Sequence, residues 1–398
     1  MRVEGFTAGA AEAGIKYSGR LDLGMVVSDR PAVTAAVFTR NLVKAAPVLD
    51  SMELLEKRRD FRALIVNSGN ANACTGSRGL EDCASIRKEA ARLAGCGMDQ
   101  VLVSSTGVIG SFLPMERYFA GMEKAASALC EDGLDDVSRA ILTTDTMPKT
   151  AFCNVVSPGC TVSMGAVAKG AGMIAPSMGP PQATMLCFVF CSAAVEPAFW
   201  QEILQEAVDV SFNRITVDGD MSTNDSVIAM ASAASGNTPE DGSGPLAGPL
   251  REAMSSILQD LARLIVRDGE GATKCVQVRV TGARNTHDAE LAARAIANSS
   301  LVKTAFFGQD PNWGRILAAA GHSGASFDPD SASIFIDSCQ IVARGMPLGQ
   351  GAEAEAARNM RKEDFSVTID LGAGPGFFEM LTCDLTDEYV HINADYRT

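Results

Sequence analysis

The residues of this chain best suited to chemistry are a few hydroxyls, one lysine and one glycine-flanked carboxylate. From Lys169 to Leu186 runs KGAGMIAPSMGPPQATML, where a Gly- and Pro-rich approach without helical period leads straight into a β-type run beginning at Thr184. That change of character singles out one peptide bond, Ala183–Thr184. A threonine is a poor nucleophile until something takes its proton. As the first residue of a chain it can use its own α-amine, whose unperturbed pKa is about 7.7–8.0. An internal threonine gains that amine only by backbone cleavage. The plainer reading is a β-branched residue opening a buried strand, and this segment alone leaves both open.

A second candidate is SSTGVIG, from Ser104 to Gly110, after the apolar run Val101–Val103. Small and hydroxyl residues at a strand end can present donors to a developing oxyanion, and ordinary turn chemistry explains them as well. Lys169 is the only base in the apolar stretch from Ala166 to Ile174, so it either reaches water or pairs with an anion. A phosphate loop does not fit, because the GxxxxGK[ST] order is absent. Glu270 stands between Gly269 and Gly271, a position suited to a cationic substrate group or to a solvated turn. Asp218 to Asp225 carries three aspartates but lacks the glutamate and glycine register of a calcium loop. Gly372 to Gly376 reads as a turn rather than a dinucleotide fingerprint.

The elements that must position these groups are mixed. Strand-like runs recur at Arg62–Val66, Gln100–Ser104, Thr184–Phe190, Val227–Ala231, Cys275–Val280, Ser333–Val342 and Phe365–Leu371. Helical stripes lie between them: Ile86, Ala90, Leu93 and Ala94 closed by Gly95; Phe199 to Val208 behind Pro197; and Leu250 to Ile265. The run from Cys275 alternates as an antiparallel strand with one wet face would. The class expected is α/β or mixed α+β with mixed sheets, and the last hundred or so residues, from about Val280, read as a strand-rich C-terminal lobe. Gly236 to Gly248 reads as a polar surface loop.

With 398 residues, 46% of them hydrophobic and 21% charged, the chain is globular in composition and large enough for two or three lobes. Its longest nearly apolar run, Met185 to Val195, falls short of a bilayer span, so no membrane partner is expected. A net charge of −14 without basic clusters argues against nucleic acid. Eleven cysteines without a CxxC pair, and a start lacking a secretory pattern, point to reduced thiols and a cytoplasmic address. Three histidines, none at zinc spacing, leave no metal site to expect.

Taken together, these segments closely resemble the ornithine acetyltransferase (glutamate N-acetyltransferase, ArgJ) family. The match runs through GIKYSG at Gly14, VFTRNLVK at Val37, NSGNANACTG at Asn67, STGVIG at Ser105, TTDT at Thr143 and KGAGMI at Lys169. It continues through ATML at Ala183, RDGEGATK at Arg267, DPNWGR at Asp310 and NADYRT at Asn393. The resemblance implies a layered α-β-β-α sandwich of the self-processing, N-terminal-nucleophile-like type with a smaller C-terminal lobe. It implies cleavage between Ala183 and Thr184 into an α chain, 1–183, and a β chain, 184–398, assembled as an α2β2 heterotetramer. Thr184 would carry the acetyl group, Thr106 and Gly107 would form the oxyanion hole, and Thr146, Lys169, Thr184, Glu270, Asn393 and Thr398 would bind substrate. The reaction implied moves acetyl from N2-acetyl-L-ornithine to L-glutamate with no cofactor. Some members also take acetyl from acetyl-CoA as a co-substrate. A self-processing amide hydrolase or aminopeptidase, or an uncleaved metabolite-binding protein, are the alternatives. One departure stands out: Lys169 and Thr184 are fifteen residues apart where the family places eleven. Gly179–Gln182 is the apparent insert, expected to be an exposed, stiff bulge.

Overall fold

The computed structural model describes residues 1–157, 159–175 and 185–395. Expectations that fall on Ala183, Thr184, the Gly179–Gln182 insert and Thr398 lie outside the described residues. The described chain divides into two units: Met1–Asn213 with Asp220–Ala262, and Arg214–Gly219 with the described residues that follow from Arg263 to Asp395.

The first unit runs β1 Phe6–Ala11, β2 Leu23–Phe38, α1 Ala46–Lys57, β3 Asp60–Asn67, α2 Gly76–Ala94, β4 Val101–Ser105, α3 Met115–Ser127 and α4 Leu134–Ala140. It continues with β5 Lys149–Ser157, β6 Cys160–Lys169, β7 Leu186–Cys191, α5 Pro197–Asp209, β8 Ser226–Ala231 and most of α6 Ala247–Arg267. Its strands form one eight-stranded sheet in the order β4-β3-β2-β8-β7-β6-β5, with β1 also on β2. β3–β4 and β7–β8 are parallel and the other pairs antiparallel. The mixed sheet is as expected. The strands β7 and β8 are buried at every residue, which is why they read as unbroken apolar runs.

The strand least visible in the sequence is β2. Ser28 to Pro31 looks like a turn, yet the strand continues through it with a register slip against β3 between Val27 and Ala32. Pro31 is exposed at that irregularity, where the missing N–H costs no ladder bond. Before the slip β2 pairs with β1 and β3; after it, with β8 and, at Ala32 and Val33, still with β3, so this one strand joins the two halves of the sheet. The helices start and stop as their punctuation suggests. Gly95 closes α2 in the left-handed conformation (φ 64°), and Pro197 opens α5. The polar stretch 236–248 is ordered by a buried carboxylate: Glu240 accepts the N–H groups of Gly242, Gly244 and Leu246.

The second unit contains β9 Cys275–Ala283, α7 Thr286–Asn298, α8 Ser300–Phe307, α9 Trp313–Gly321, β10 Ser333–Ile336, β11 Cys339–Ala343, β12 Met346–Pro347, α10 Gln350–Asn359, β13 Asp364–Asp370, β14 Gly376–Cys383 and α11 Asp387–Asp395. Its sheet order is β12-β11-β10-β13-β9-β14. Val276, Val278 and Val280 of β9 are buried in one core with Ala289, Ala293 and Ile296 of α7. On the wet face Gln277 and Arg279 bond to Glu379 of β14. The run Ser333–Val342 is a hairpin rather than one strand. Asp337 adopts φ 51° at its turn, and its carboxylate accepts the Ser366 N–H at 2.8 Å. β9 is antiparallel to β14 as expected but parallel to β13.

Candidate active site

Parallel strands β3 and β4 end side by side, and the loops that leave them are tied together by buried amide side chains. Asn67 donates to the Asn70 carbonyl at 2.9 Å and accepts the Ser105 hydroxyl at 2.7 Å. Asn224, just before β8, donates to the carbonyls of Ala71 and Ser105 at 2.6 and 2.8 Å. Each such bond is worth about 1 kcal/mol net, and a buried group left unpaired costs more. This explains the asparagines of NSGNANACTG: they hold a backbone crossing in place. The Thr106 N–H is spent on the Asn67 carbonyl at 2.9 Å, so the donors this pair can offer a ligand are the Thr106 hydroxyl and the Gly107 N–H. Gly107 has φ 131°, and a Cβ there would sit 2.4 Å from the Gly69 carbonyl carbon and 2.5 Å from the Asn70 nitrogen. Glycine is required by both conformation and space.

Lys169 closes this corner from the end of β6. It is 8% exposed, and its Nζ donates to Thr106 Oγ1 at 3.3 Å. Because the hydroxyl oxygen accepts from an ammonium, its own proton is directed toward some other acceptor. Behind the lysine lies Asp145, whose side chain is fully buried against Lys149 at 2.7 Å and which accepts the Gly170 N–H at 2.6 Å. Burial alone would push the Asp145 carboxyl up, but the Lys169 and Lys149 charges and these hydrogen bonds outweigh it and hold its pKa at about 2. Asp225 behaves oppositely: burial pushes its carboxyl well above the usual range, against the opposing pull of Lys169, the Ser222 amide and the Thr39 hydroxyl. Thr146 is exposed immediately beside Asp145.

In the second unit, Glu270 sits on the turn after α6. Gly271 has φ 67°, and a Cβ there would lie 2.7 Å from the Tyr389 nitrogen. The Thr386 hydroxyl donates to the Gly271 carbonyl at 2.8 Å. Asn393 of α11 reaches Glu270 Oε2 at 2.7 Å.

The structure thus brings Thr106, Gly107 and Lys169 together in the first unit, and Glu270 with Asn393 in the second. Asp145, Lys149, Asn67, Asn224 and Asp225 were not singled out by residue type and spacing. The traces they leave in the sequence are the motifs TTDT and NSGNANACTG and an aspartate run resembling a cation loop. That run does not converge: Asp218 belongs to the second unit, 3.4 Å from the Tyr389 hydroxyl, and Asp225 to the first. Among the described residues no three His, Cys, Asp or Glu gather as a metal would need, and no helix is long and apolar enough to cross a membrane. A groove of about 520 Å³ lined by Phe38, Leu55, Arg59 and Gln201 contains none of these site residues.

The family model for ArgJ matches residues 7–398. The arginine biosynthesis bifunctional protein ArgJ of Geobacter sulfurreducens is 50% identical over 398 residues, covering both chains completely. That of Symbiobacterium thermophilum is 46% identical over 99% of this chain and 97% of its own. A crystal structure of the Bacillus halodurans protein of the same name, 39% identical, matches 54% of this chain and all of that one, with a TM-score of 0.50. The chain belongs to the ArgJ family and is an acyltransferase of arginine biosynthesis.

Proposed function

We propose that the chain cuts itself between Ala183 and Thr184 and then transfers acetyl from N2-acetyl-L-ornithine to L-glutamate through an acetyl ester on Thr184. The observation that supports this best is the contact of Lys169 Nζ with Thr106 Oγ1 at 3.3 Å, beside Gly107. Lys169 is in register with Leu186, two residues along from Thr184.

In the first half-reaction the Thr184 oxygen attacks the acetyl carbon and its proton passes to the α-amine created by cleavage. The Thr106 hydroxyl and Gly107 N–H receive the developing oxyanion, each such donor being worth roughly 10²–10³ in rate. Collapse breaks the carbon–nitrogen bond, and the α-ammonium returns the proton to the leaving ornithine nitrogen. Glutamate's α-amine then attacks the ester at the same corner, and the Thr184 oxygen leaves with a proton. The substrate contacts that the family resemblance implies are Thr146, Lys169, Glu270, Asn393 and Thr398; by charge the lysine suits a substrate carboxylate and the glutamate a substrate cation. No cofactor enters. Acetyl-CoA is a second donor to glutamate in some members of the family, and the relatives' name, bifunctional, is consistent with a second activity. The assembly we infer is α2β2, in the cytoplasm.

Intact-mass analysis after incubation with labelled acetylornithine tests the reading. The expected result is two chains, 1–183 and 184–398, with one acetyl on Thr184 that moves to glutamate when glutamate is added. Release of labelled acetate to water in place of that transfer would indicate an amide hydrolase.

A further inference from the structure

Asp225 lies where four parts of the first unit meet. Its carbonyl accepts the Thr39 N–H from the end of β2 at 3.0 Å, and the next N–H, of Ser226, donates to the Met185 carbonyl at 2.8 Å. The preceding side chain, Asn224, holds the loop that carries Thr106. Lys169, Leu186 and Ser226 form one row across β6, β7 and β8. Strands about 4.8 Å apart put the Lys169 and Asp225 backbones roughly 10 Å from each other, a gap that a lysine side chain crosses for the most part. Asp225 is 2% exposed, and among the described residues its Oδ2 has no hydrogen-bond partner. A buried carboxyl oxygen left unpaired is costly, and the core alone gives no reason for it.

We propose that Asp225 is a positioning residue for acetyl transfer, acting through Lys169 and governing how much positive charge that lysine presents to a substrate carboxylate. Among the described residues, the charge acting on the Asp225 carboxyl is that of Lys169; the Thr39 hydroxyl approaches from β2 and the Ser222 amide from its own loop. Asn224 meets β4 and the 67–72 loop only through carbonyls. Asp145 and Lys149 face the same lysine from the other side and already balance each other. With Asp225 neutral, no carboxylate at that position draws on the Lys169 charge, and the lysine is matched to an anionic substrate group. With Asp225 ionised, its charge offsets that of Lys169, and the carboxylate of acetylornithine or glutamate is held less strongly.

The test is the pH dependence of KM for acetylornithine, from about pH 6 to about pH 10, in the self-processed wild-type enzyme and in Asp225→Asn. In wild type, KM should rise about tenfold per pH unit once Asp225 ionises, while kcat changes little. Asparagine keeps the shape and stays neutral, so the rise should move up by at least about one pH unit or disappear. Profiles that superimpose after scaling, or an Asn variant that loses kcat at every pH, overturn the proposal. Asp225→Ser makes the same comparison if the Asn variant does not fold, and a wild-type KM flat over this range overturns the proposal without any variant. Because the inference rests on transfer through Thr184, the acetylated β chain is weighed in the same samples. No adduct in wild type counts against that reaction, whereas an adduct with superimposable pH profiles counts against Asp225.

Discussion

Asn393 donates from Nδ2 to Oε2 of Glu270 at 2.7 Å, tying the last described helix to the turn that follows α6. An amide donor on one carboxylate oxygen fixes its direction and leaves the other to meet a cation. Glu270→Gln removes the charge and retains the shape. Because the pair is partly open to solvent, the loss should be near the low end for such pairs, about 2 kcal/mol, or roughly 30-fold in kcat/KM for acetylornithine. Unchanged kinetics for this variant would place Glu270 outside the site.

Strand pairing crosses the proposed cleavage point twice. β6 pairs with β7 from Met164↔Cys191 to Lys169↔Leu186, and β2 pairs with β8 from Val33↔Ala231 to Phe38↔Ser226. The α and β chains should therefore co-elute under native conditions and separate only in denaturant, since both ladders lie in a buried sheet. Thr184→Ala, lacking the attacking hydroxyl, should remain a single chain. Spontaneous dissociation of the cut protein in plain buffer would contradict this sheet.

The Asp145–Lys149 pair is a stability element as well as a support for Lys169. Asp145→Asn leaves Lys149 buried without its counter-charge and should cost about 3–5 kcal/mol, read as a lowered urea midpoint. The pH sign follows from the depressed pKa. The carboxylate's contribution is present above its unfolded value, about 3.9, and is lost as pH falls toward about 2. Acid melts of wild type and of the double variant Asp145→Asn/Lys149→Met should differ in steepness over that window. Parallel curves would remove Asp145 from the acid response.

Thr106→Val deletes a hydroxyl while nearly keeping the volume, so kcat should fall roughly 10²–10³-fold with KM little altered. Thr106→Ser should retain most of the activity. A large KM change with kcat preserved would mean that Thr106 binds substrate rather than the oxyanion.

Asp225→Asn carries a stability consequence of opposite sign to that of Asp145. A carboxyl raised on folding binds more protons in the native state, so wild-type stability declines as pH rises above the unfolded value, about 3.9, until the folded value is passed. The Asn variant should be the more stable protein at neutral pH, with the difference vanishing in acid. A variant less stable than wild type at neutral pH would show that the charge is paired after all.

Much of this molecule is determined locally. Apolar runs such as Leu186–Cys191, the stripe of α6 and the punctuation at Gly95 and Pro197 act over a few residues, and the structure follows them. The motifs mark the reaction class through their resemblance to a known family, and two of them, STGVIG and RDGEG, carry glycines at positions of positive φ, Gly107 and Gly271. What tertiary structure alone decides is which distant groups share a dielectric environment. Nothing in TTDTMPK announces that Asp145 and Lys149 are both fully buried and paired. Nothing in STND announces that Asp225 ends two strands from Lys169 with an oxygen that has no hydrogen-bond partner among the described residues. β2 shows the same limit for the backbone: Ser28 to Pro31 carries a turn's residue types, and the ladders formed by the residues before and after it carry the strand through. Propensity acts on neighbours in sequence, whereas burial and strand register depend on residues well beyond them, Thr106 and Lys169 being 63 positions apart. Such contacts bring a hydroxyl, a glycine and a lysine to one corner, the candidate active site.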